Sequence, residues 1–299
     1  MRGMDHTRRV CDYEGSTYRT DFWEGQDREY EDLAERIALR RLLPPCGRRL
    51  VDIGGGFGRL AEFYKGYEQV VLLDYSRSLL RQAQARLGHD ERILYVAASF
   101  YTMPFVDAAF DSAMMVRVIH HVEDVPGLLG EVGRILAGGG TYVLEFASKR
   151  HLKAALRYLF RQQHWSPFDP DPIEFVEMNF DFHPGWMRDR LAEAMFHVKR
   201  IRTVSHFRLP LLKKLVPAPP LAALDGLCQP TGACWQLTPS IFLQCGTDRN
   251  PGAAPSTPLF RCPACGCSDL HESPGALSCA GCQRNWPIED GIYNFKKPF

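Results

Sequence analysis

Residues 51–58, Val-Asp-Ile-Gly-Gly-Gly-Phe-Gly, set an acid at the tip of a short apolar run and then glycines at alternating positions 54, 56 and 58. No other stretch constrains the fold as tightly. Residues 49–51 before it read as a buried strand, and residues 59–64 after it as the opening of a helix. In such a turn a β-carbon at those glycines would fill a ligand's space or forbid the bend, so the loop lets backbone pass close beneath a bound nucleoside. A short glycine pattern alone also fits an ordinary tight loop. The next eighty residues decide between the two.

Apolar runs of strand length recur at 70–74, 93–98, 110–116 and 141–146, with helical patterns at 78–87 and 124–136 between them. Strands alternating with helices of this length imply βαβ units and a parallel sheet covered on both faces. Asp74 closes the second run, about where a ribose-binding carboxylate belongs. Closing strands are expected at 197–204 and 240–245. The fold class is therefore α/β: a Rossmann-like, doubly wound, seven-stranded sheet with helices on both faces and an antiparallel edge hairpin.

At this point the chain resembles a known family. Asp52-x-Gly54-x-Gly56-x-Gly58, Asp74, Met103-Pro104-Phe105-x-Asp107-x-x-Phe110-Asp111 and His120-His121-Val122-x-Asp124, followed by Glu131-x-x-Arg134 and Gly138-Gly139-Gly140, are similar in order and spacing to the class I S-adenosylmethionine-dependent methyltransferases of the small-molecule type. The resemblance covers about residues 27–147. It implies S-adenosylmethionine as cofactor, held by Asp52, Gly54, Gly55, Gly56 and Gly58 of the loop, by Asp74 and Tyr75, by Ser99 and Phe100, and by Val116. One departure is Ser99, where the family usually has an Asp that accepts from the adenine amino group; a hydroxyl can still accept. The competing nicotinamide fingerprint G-x-G-x-x-G lacks its third glycine, because residue 59 is Arg.

Cysteine spacing defines the second region. Of ten cysteines, five fall between 262 and 282, and Cys262-Pro-Ala-Cys265 with Cys279-Ala-Gly-Cys282 forms two C-x-x-C knuckles suited to tetrahedral thiolate coordination of a structural zinc. Cys267 is left outside that set. A segment this short buries too little apolar surface to fold unaided, and zinc supplies the deficit. The expected organisation is a methyltransferase domain at 1–245, with an N-terminal lid and helix at 1–45 and a substrate-side insertion at 147–196. After it come a Gly/Pro/Ser linker at 246–258 and a small C-terminal zinc-ribbon β domain at 259–299. The ribbon, with its Pro287-Ile288-x-Asp290-Gly291-Ile292 hairpin, resembles the small activating subunits of tRNA, rRNA and release-factor methyltransferases, in which that hairpin pairs with the enzyme's surface.

The acceptor is less constrained. His120 and His121 come after the fourth strand, where substrate belongs, and either could serve as a base or simply orient the loop. No Asn-Pro-Pro-Tyr signature for exocyclic amines is present. Tyr13, Tyr18, Phe22 and Trp23 could close as a lid or staple the first helix to the sheet. Residues 210–224, rich in Pro and Leu, read as a kinked surface or lid element. Aromatic residues within 147–196 suggest an apolar or planar substrate. Residues 147–216 carry 13 Lys and Arg against 7 Asp and Glu, while the chain's net charge is +1. That excess hints at phosphate, although the cations are spaced as on solvated helix faces.

A small-molecule acceptor is the first reading, RNA or a translation factor reached through the ribbon the second, and a non-catalytic cofactor-binding protein the third. The composition, 45% hydrophobic and 24% charged, is that of a globular chain. No apolar stretch is long enough to span a bilayer and residues 1–11 lack a signal-like core, so a cytoplasmic protein with no membrane partner is expected; its oligomeric state stays open.

Overall fold

The computed structural model describes residues 9, 11–15, 28–247, 249 and 258–299. Tyr18, Phe22 and Trp23 of the expected lid, and most of the expected linker, lie outside the described residues. Strands β1 (Gly47–Ile53), β2 (Tyr67–Asp74), β3 (Ile93–Ala97), β4 (Phe110–Met115) and β5 (Leu136–Ala147) run parallel. β9 (Ser240–Thr247) returns antiparallel between β5 and β8 (Phe196–Val204). The order β3-β2-β1-β4-β5-β9-β8 is the expected seven-stranded sheet.

Successive residues of each strand face opposite sides, so Leu50, Val70 and Leu72 join one core while Val51, Val71 and Leu73 join the other. The first core is covered by α1 (Glu29–Leu42), α2 (Arg77–Leu87) and α7 (Ala218–Cys228), the second by α3 (Val125–Ile135) and α5 (Pro184–Glu193). Side chains at Asp124 and Ser76 accept N–H groups of the first turns of α3 and α2, which fixes where both helices begin.

One expectation fails locally. After the glycine loop the chain makes only a 3₁₀ turn, Ala61–Tyr64, instead of a helix. β2 already begins at Tyr67, which leaves too few residues for a helical crossover. The buried Tyr64 ring fills that space.

Between β5 and β8 the insertion forms α4 (Leu152–Leu159), a hairpin of β6 (Ile173–Val176) and β7 (Asn179–Asp181), and α5. The segment read as a kinked surface element is two helices, α6 (Pro210–Leu215) and α7.

The C-terminal strands β10 (Leu270–Ser273), β11 (Ala276–Cys279), β12 (Asn285–Glu289) and β13 (Ile292–Asn294) form an antiparallel meander, and β13 then pairs in parallel with β3. The result is one eleven-stranded sheet. Trp286 and Phe295 enter the core shared with β3 and α3, and Phe260 stacks on Phe105 at 6.0 Å. Arg81 pairs with Asp290 at 2.8 Å, so α2 also grips the β12–β13 turn.

Candidate active site

In an open parallel sheet ligands bind beyond the carboxyl ends of the strands, where the strand order reverses. Here that place is the gap between β1 and β4, and a cleft of about 620 Å³ opens there. Of the expected residues, Gly54, Gly56, Asp74, Tyr75, Phe100 and His121 line it. A smaller cavity of about 400 Å³ adjoins it through the same glycines and is lined by Asp52, Gly55, Arg59, Val116 and Arg117. Gly58, Ser99 and His120 line neither cavity.

The loop conformation explains the glycines. Gly54 sits at φ +72°, and a β-carbon there would run into the Val118 side chain. Gly56, at φ +53°, aims its N–H at Asp74 Oδ2, 2.9 Å away. Both positions are in the left-handed region that L side chains avoid. Ser99 Oγ is occupied locally, accepting the Tyr101 N–H at 3.2 Å, which accounts for its absence from the cleft wall.

Two carboxylates carry the electrostatics. Asp74 accepts from the Gly56 and Ser76 amides at 2.9 and 2.8 Å, yet burial still lifts its pKa to about 6. Asp52 accepts the Tyr64 hydroxyl at 2.6 Å, and burial raises it to about 7. The Arg59 charge offsets part of the burial cost at Asp52, and Arg59 is in turn anchored by an acid of α1. The fully buried Glu35 takes Arg59 at 2.9 Å on one oxygen and Arg117 at 2.7 Å on the other. Arg117 itself holds φ 59° and donates its N–H to the buried Glu145 at 2.9 Å. A non-glycine residue held in this region costs energy and survives because surrounding contacts over-determine it.

His121 has a defined tautomer. Its Nδ1 lies 2.8 Å from the Met178 carbonyl, which can only accept, so the proton is on Nδ1. Nε2 then accepts the Tyr13 hydroxyl at 2.9 Å. Burial lowers the His121 pKa, leaving a neutral ring at physiological pH. His120, tilted against it at 4.1 Å between ring centroids, is held well below its ordinary value by burial and by the neighbouring His121 and Arg117.

Sequence reasoning misses Arg117 and Glu35. Arg59 enters it only as the residue that breaks the nicotinamide fingerprint, and that substitution is the available signal. Cys11 also lines the cleft beside Tyr13.

In the ribbon the four cysteine sulfurs converge within 4.8 Å of one another, with Cys262–Cys282 at 3.7 Å and Cys265–Cys279 at 3.5 Å. Tetrahedral thiolates at ordinary zinc–sulfur distance are separated by roughly 3.8 Å, so the donor set fits zinc in number, type and spacing. The ribbon also reaches the cleft. Lys296 Nζ lies 3.9 Å from the centroid of the Tyr75 ring and 3.4 Å from Asp12.

Comparison with known proteins agrees with this geometry. Residues 51–144 match a family model described as a methyltransferase domain. The chain is 34% identical over 114 residues to 24-methylenesterol C-methyltransferase 2 of Oryza sativa subsp. japonica, covering 36% of this chain and 31% of that one. Such curated relatives are spanned over only about a third to about three fifths of their length. Among solved structures, an S-adenosylmethionine-dependent methyltransferase from Mesorhizobium loti superposes with a TM-score of 0.50 at 21% identity, over 71% of this chain and 97% of that one. A chain from the complex of the Haloferax volcanii Trm112 methyltransferase activator with a methyltransferase gives a TM-score of 0.52 at 18% identity, over 75% and 94%. Residues 51–144 thus match a methyltransferase domain, and the chain shares the fold of S-adenosylmethionine-dependent methyltransferases.

Proposed function

We propose that this chain is an S-adenosylmethionine-dependent methyltransferase whose acceptor is a small, largely apolar molecule. The observation that carries the reading is the cleft at the β1–β4 gap, with a positive-φ glycine loop beneath it and Asp74 at its floor. When bound, the cofactor supplies an electrophilic methyl group. Asp74 is suited to accept ribose hydroxyls, Tyr75 and Phe100 to wall the adenine, and Arg59, Arg117 and Asp52 to meet the charged amino-acid end in the smaller cavity. Val116 walls the smaller cavity, while Gly58 and Ser99 act through loop shape and packing. Methyl transfer is mainly positioning and exclusion of water. Where the acceptor must lose a proton, Tyr13 can take it and pass its own to the neutral His121, as the Tyr13–His121–Met178 chain is already polarised in that direction. His120 lines neither cavity and packs against the His121 ring, which it serves to position.

The sterol named for the rice relative is in keeping with an apolar acceptor. The aromatic residues of the insertion serve the core instead: Phe182 is buried and stacks between Phe180 and Trp186 at 6.4 and 5.4 Å.

The ribbon has its own reading. We propose that Cys262, Cys265, Cys279 and Cys282 hold a structural zinc and that the ribbon supports its own catalytic domain rather than recruiting RNA or a translation factor. The β13–β3 pairing and the Lys296–Tyr75 contact favour this, and a structural neighbour comes from a complex with a separate activator. A reducing cytoplasmic setting is consistent with thiols arranged for metal.

Calorimetry with S-adenosylhomocysteine, followed by transfer of labelled methyl into a lysate split into RNA, protein and small-molecule fractions, tests the whole reading. Label in the small-molecule fraction supports it. Label in RNA or protein moves the acceptor to the ribbon reading, and no heat with the homocysteine product overturns the cofactor assignment.

A further inference from the structure

Helix α4 is amphipathic, but it faces the wrong way for a core helix. Leu152, Leu156, Leu159 and Phe160 fall on one stripe, and all are exposed, Leu159 at 71%. The one buried residue of the helix is Ala154. At about 100° per residue, the four apolar residues lie roughly 120–160° around the axis from Ala154. The apolar stripe therefore points away from the protein. A surface helix of a globular domain normally turns that stripe inward.

A second element repeats the pattern. In and beside α6, Leu209, Leu211 and Leu215 are 62%, 68% and 71% exposed. The two elements share one side of the molecule. β8 is parallel to β5, because both pair antiparallel with β9, so α4 and α6 both leave the carboxyl edge of the sheet. That is the edge where the cleft opens. The Arg208 charge acts on His151 at the start of α4, and the Leu152 N–H donates to the Leu237 carbonyl, two residues beyond the exposed Trp235. Basic side chains flank the apolar ones: Lys153 and Arg157 form the neighbouring stripe of α4, Arg161 follows its end, Arg208 precedes α6 and Lys214 lies in it, all of them exposed. Arg208 is also engaged by Glu31 at 3.4 Å.

We infer that this rim, α4 with α6 and Trp235, docks on an anionic lipid surface. Exposed leucines at helical spacing, bordered by Lys and Arg, are what lets a helix lie in a bilayer interface, the apolar stripe entering the acyl boundary and the cations meeting lipid phosphates. Charge complementarity selects this occupant: the excess of 13 basic over 7 acidic residues in 147–216 suits a negative surface and would repel a second copy of the same face. Such contact is peripheral. Among the described residues no helix is long and apolar enough to cross a membrane. The inference departs from the expectation of no membrane partner only in this sense, and it stands on the exposed side chains without the methyltransferase reading.

The test is co-sedimentation of the full chain with vesicles of phosphatidylcholine alone and of an equal mixture with phosphatidylglycerol. Wild type sediments with the mixed vesicles, and less so at high salt. Leu156→Glu with Leu159→Glu, and separately Leu211→Glu with Leu215→Glu, each lower the partition at least about tenfold; Lys153→Glu with Arg157→Glu lowers it roughly several-fold. Because these residues are exposed, circular dichroism and zinc content stay at wild-type values, and the two leucine pairs sit on separate helices in case one perturbs folding. Absence of sedimentation with either vesicle, or variants that sediment like wild type, overturns the inference. A concentration-dependent dimer that the leucine variants dissolve, without vesicle binding, overturns it in favour of a second copy.

Discussion

The β1–β4 cleft and the four-cysteine ribbon both depend on a handful of polar residues, but they are stabilised in opposite ways. Around the cleft, Asp52, Glu35 and Glu145 are buried as acids at the end of a sheet with two extensive apolar cores. The fold can tolerate their desolvation because so much apolar surface is buried behind them. The ribbon has no such reserve. Its apolar content is a few residues, Leu277, Trp286, Ile292 and Phe295, and these are buried chiefly against the neighbouring domain. Four thiols and a borrowed sheet edge take the place of a core. A region with a large core can store charge, whereas a small region leans on its neighbour and, in the reading proposed above, on zinc.

The sharpest way to break this contrast is Cys279→Ser. A structural zinc site carries on the order of 10 kcal/mol of folding free energy, so metal content should fall to zero and the ribbon should unfold. Because β13 is hydrogen-bonded to β3 and Trp286 sits in the shared core, the main melting transition should also move down. Calorimetric scanning with metal analysis reads both. An unshifted main transition in the zinc-free variant would mean that the ribbon is an independent appendage.

On the cleft side the largest expected cost belongs to Glu35→Gln. It leaves the guanidinium groups of Arg59 and Arg117 without their buried anion. Removing one partner of a buried ion pair typically costs about 3–5 kcal/mol, visible as a lower midpoint in urea. Unchanged stability would show that these arginines are already solvated in the cavity.

Next comes Asp52, whose sign is opposite. Burial raises its folded-state pKa to about 7, while the unfolded carboxyl titrates near 4. The folded state binds the proton more tightly, so its contribution is fully present below about pH 4 and is lost as pH rises through about 7. Asp52→Asn keeps an acceptor for Tyr64 and should flatten stability across that window, with a gain of about 4 kcal/mol at pH 8 from roughly 1.4 kcal/mol per pKa unit over about 3 units. Urea titrations at pH 4, 6 and 8, choices of condition spanning about the two pKa values, decide it; a parallel offset at every pH would refute the titration.

Asp74→Ala should act on ligand rather than fold. Loss of an ionised acceptor is expected to weaken S-adenosylhomocysteine about a hundredfold, roughly 2.7 kcal/mol, with little change in melting temperature. With a pKa of about 6 in the empty cleft, wild-type affinity should also decline by up to about tenfold per pH unit below that point, since the protonated form must release its proton to accept ribose hydroxyls. Equal calorimetric affinity for wild type and variant would remove Asp74 from the site.

How much of this is legible in the sequence depends on range. The strands are, because each is a short apolar run bounded by polar residues, and the cysteine knuckles are, because two pairs at fixed spacing have few other uses. The grip of α1 on the cleft is not. Glu35 and Arg117 are 82 positions apart, and such pairing leaves no local pattern. The same holds for β13 joining β3: the hairpin is visible in sequence, its partner strand is not. α4 misleads for another reason, since its periodicity is that of a core helix and only the fold turns its apolar stripe outward.

The smallest effect tests the least legible contact. Tyr13 and His121 are 108 positions apart, and the 2.9 Å hydrogen bond between them joins the N-terminal segment to the exit of β4. If Tyr13 carries the acceptor's proton to His121, Tyr13→Phe should lower kcat about tenfold while leaving KM for the cofactor unchanged, and His121→Ala should lose at least as much. The double variant should then lose no more than His121→Ala alone, because both residues serve one proton path. Burial holds His121 below its ordinary value, so the wild-type rate should be flat above about pH 6.5 and fall on the acid side as the ring is protonated. The limb should persist in Tyr13→Phe and vanish in His121→Ala. A Tyr13→Phe variant that raises only KM would instead mark the hydroxyl as a latch closing the N-terminal segment over the cleft, and additive losses in the double variant would separate the two residues into unrelated roles.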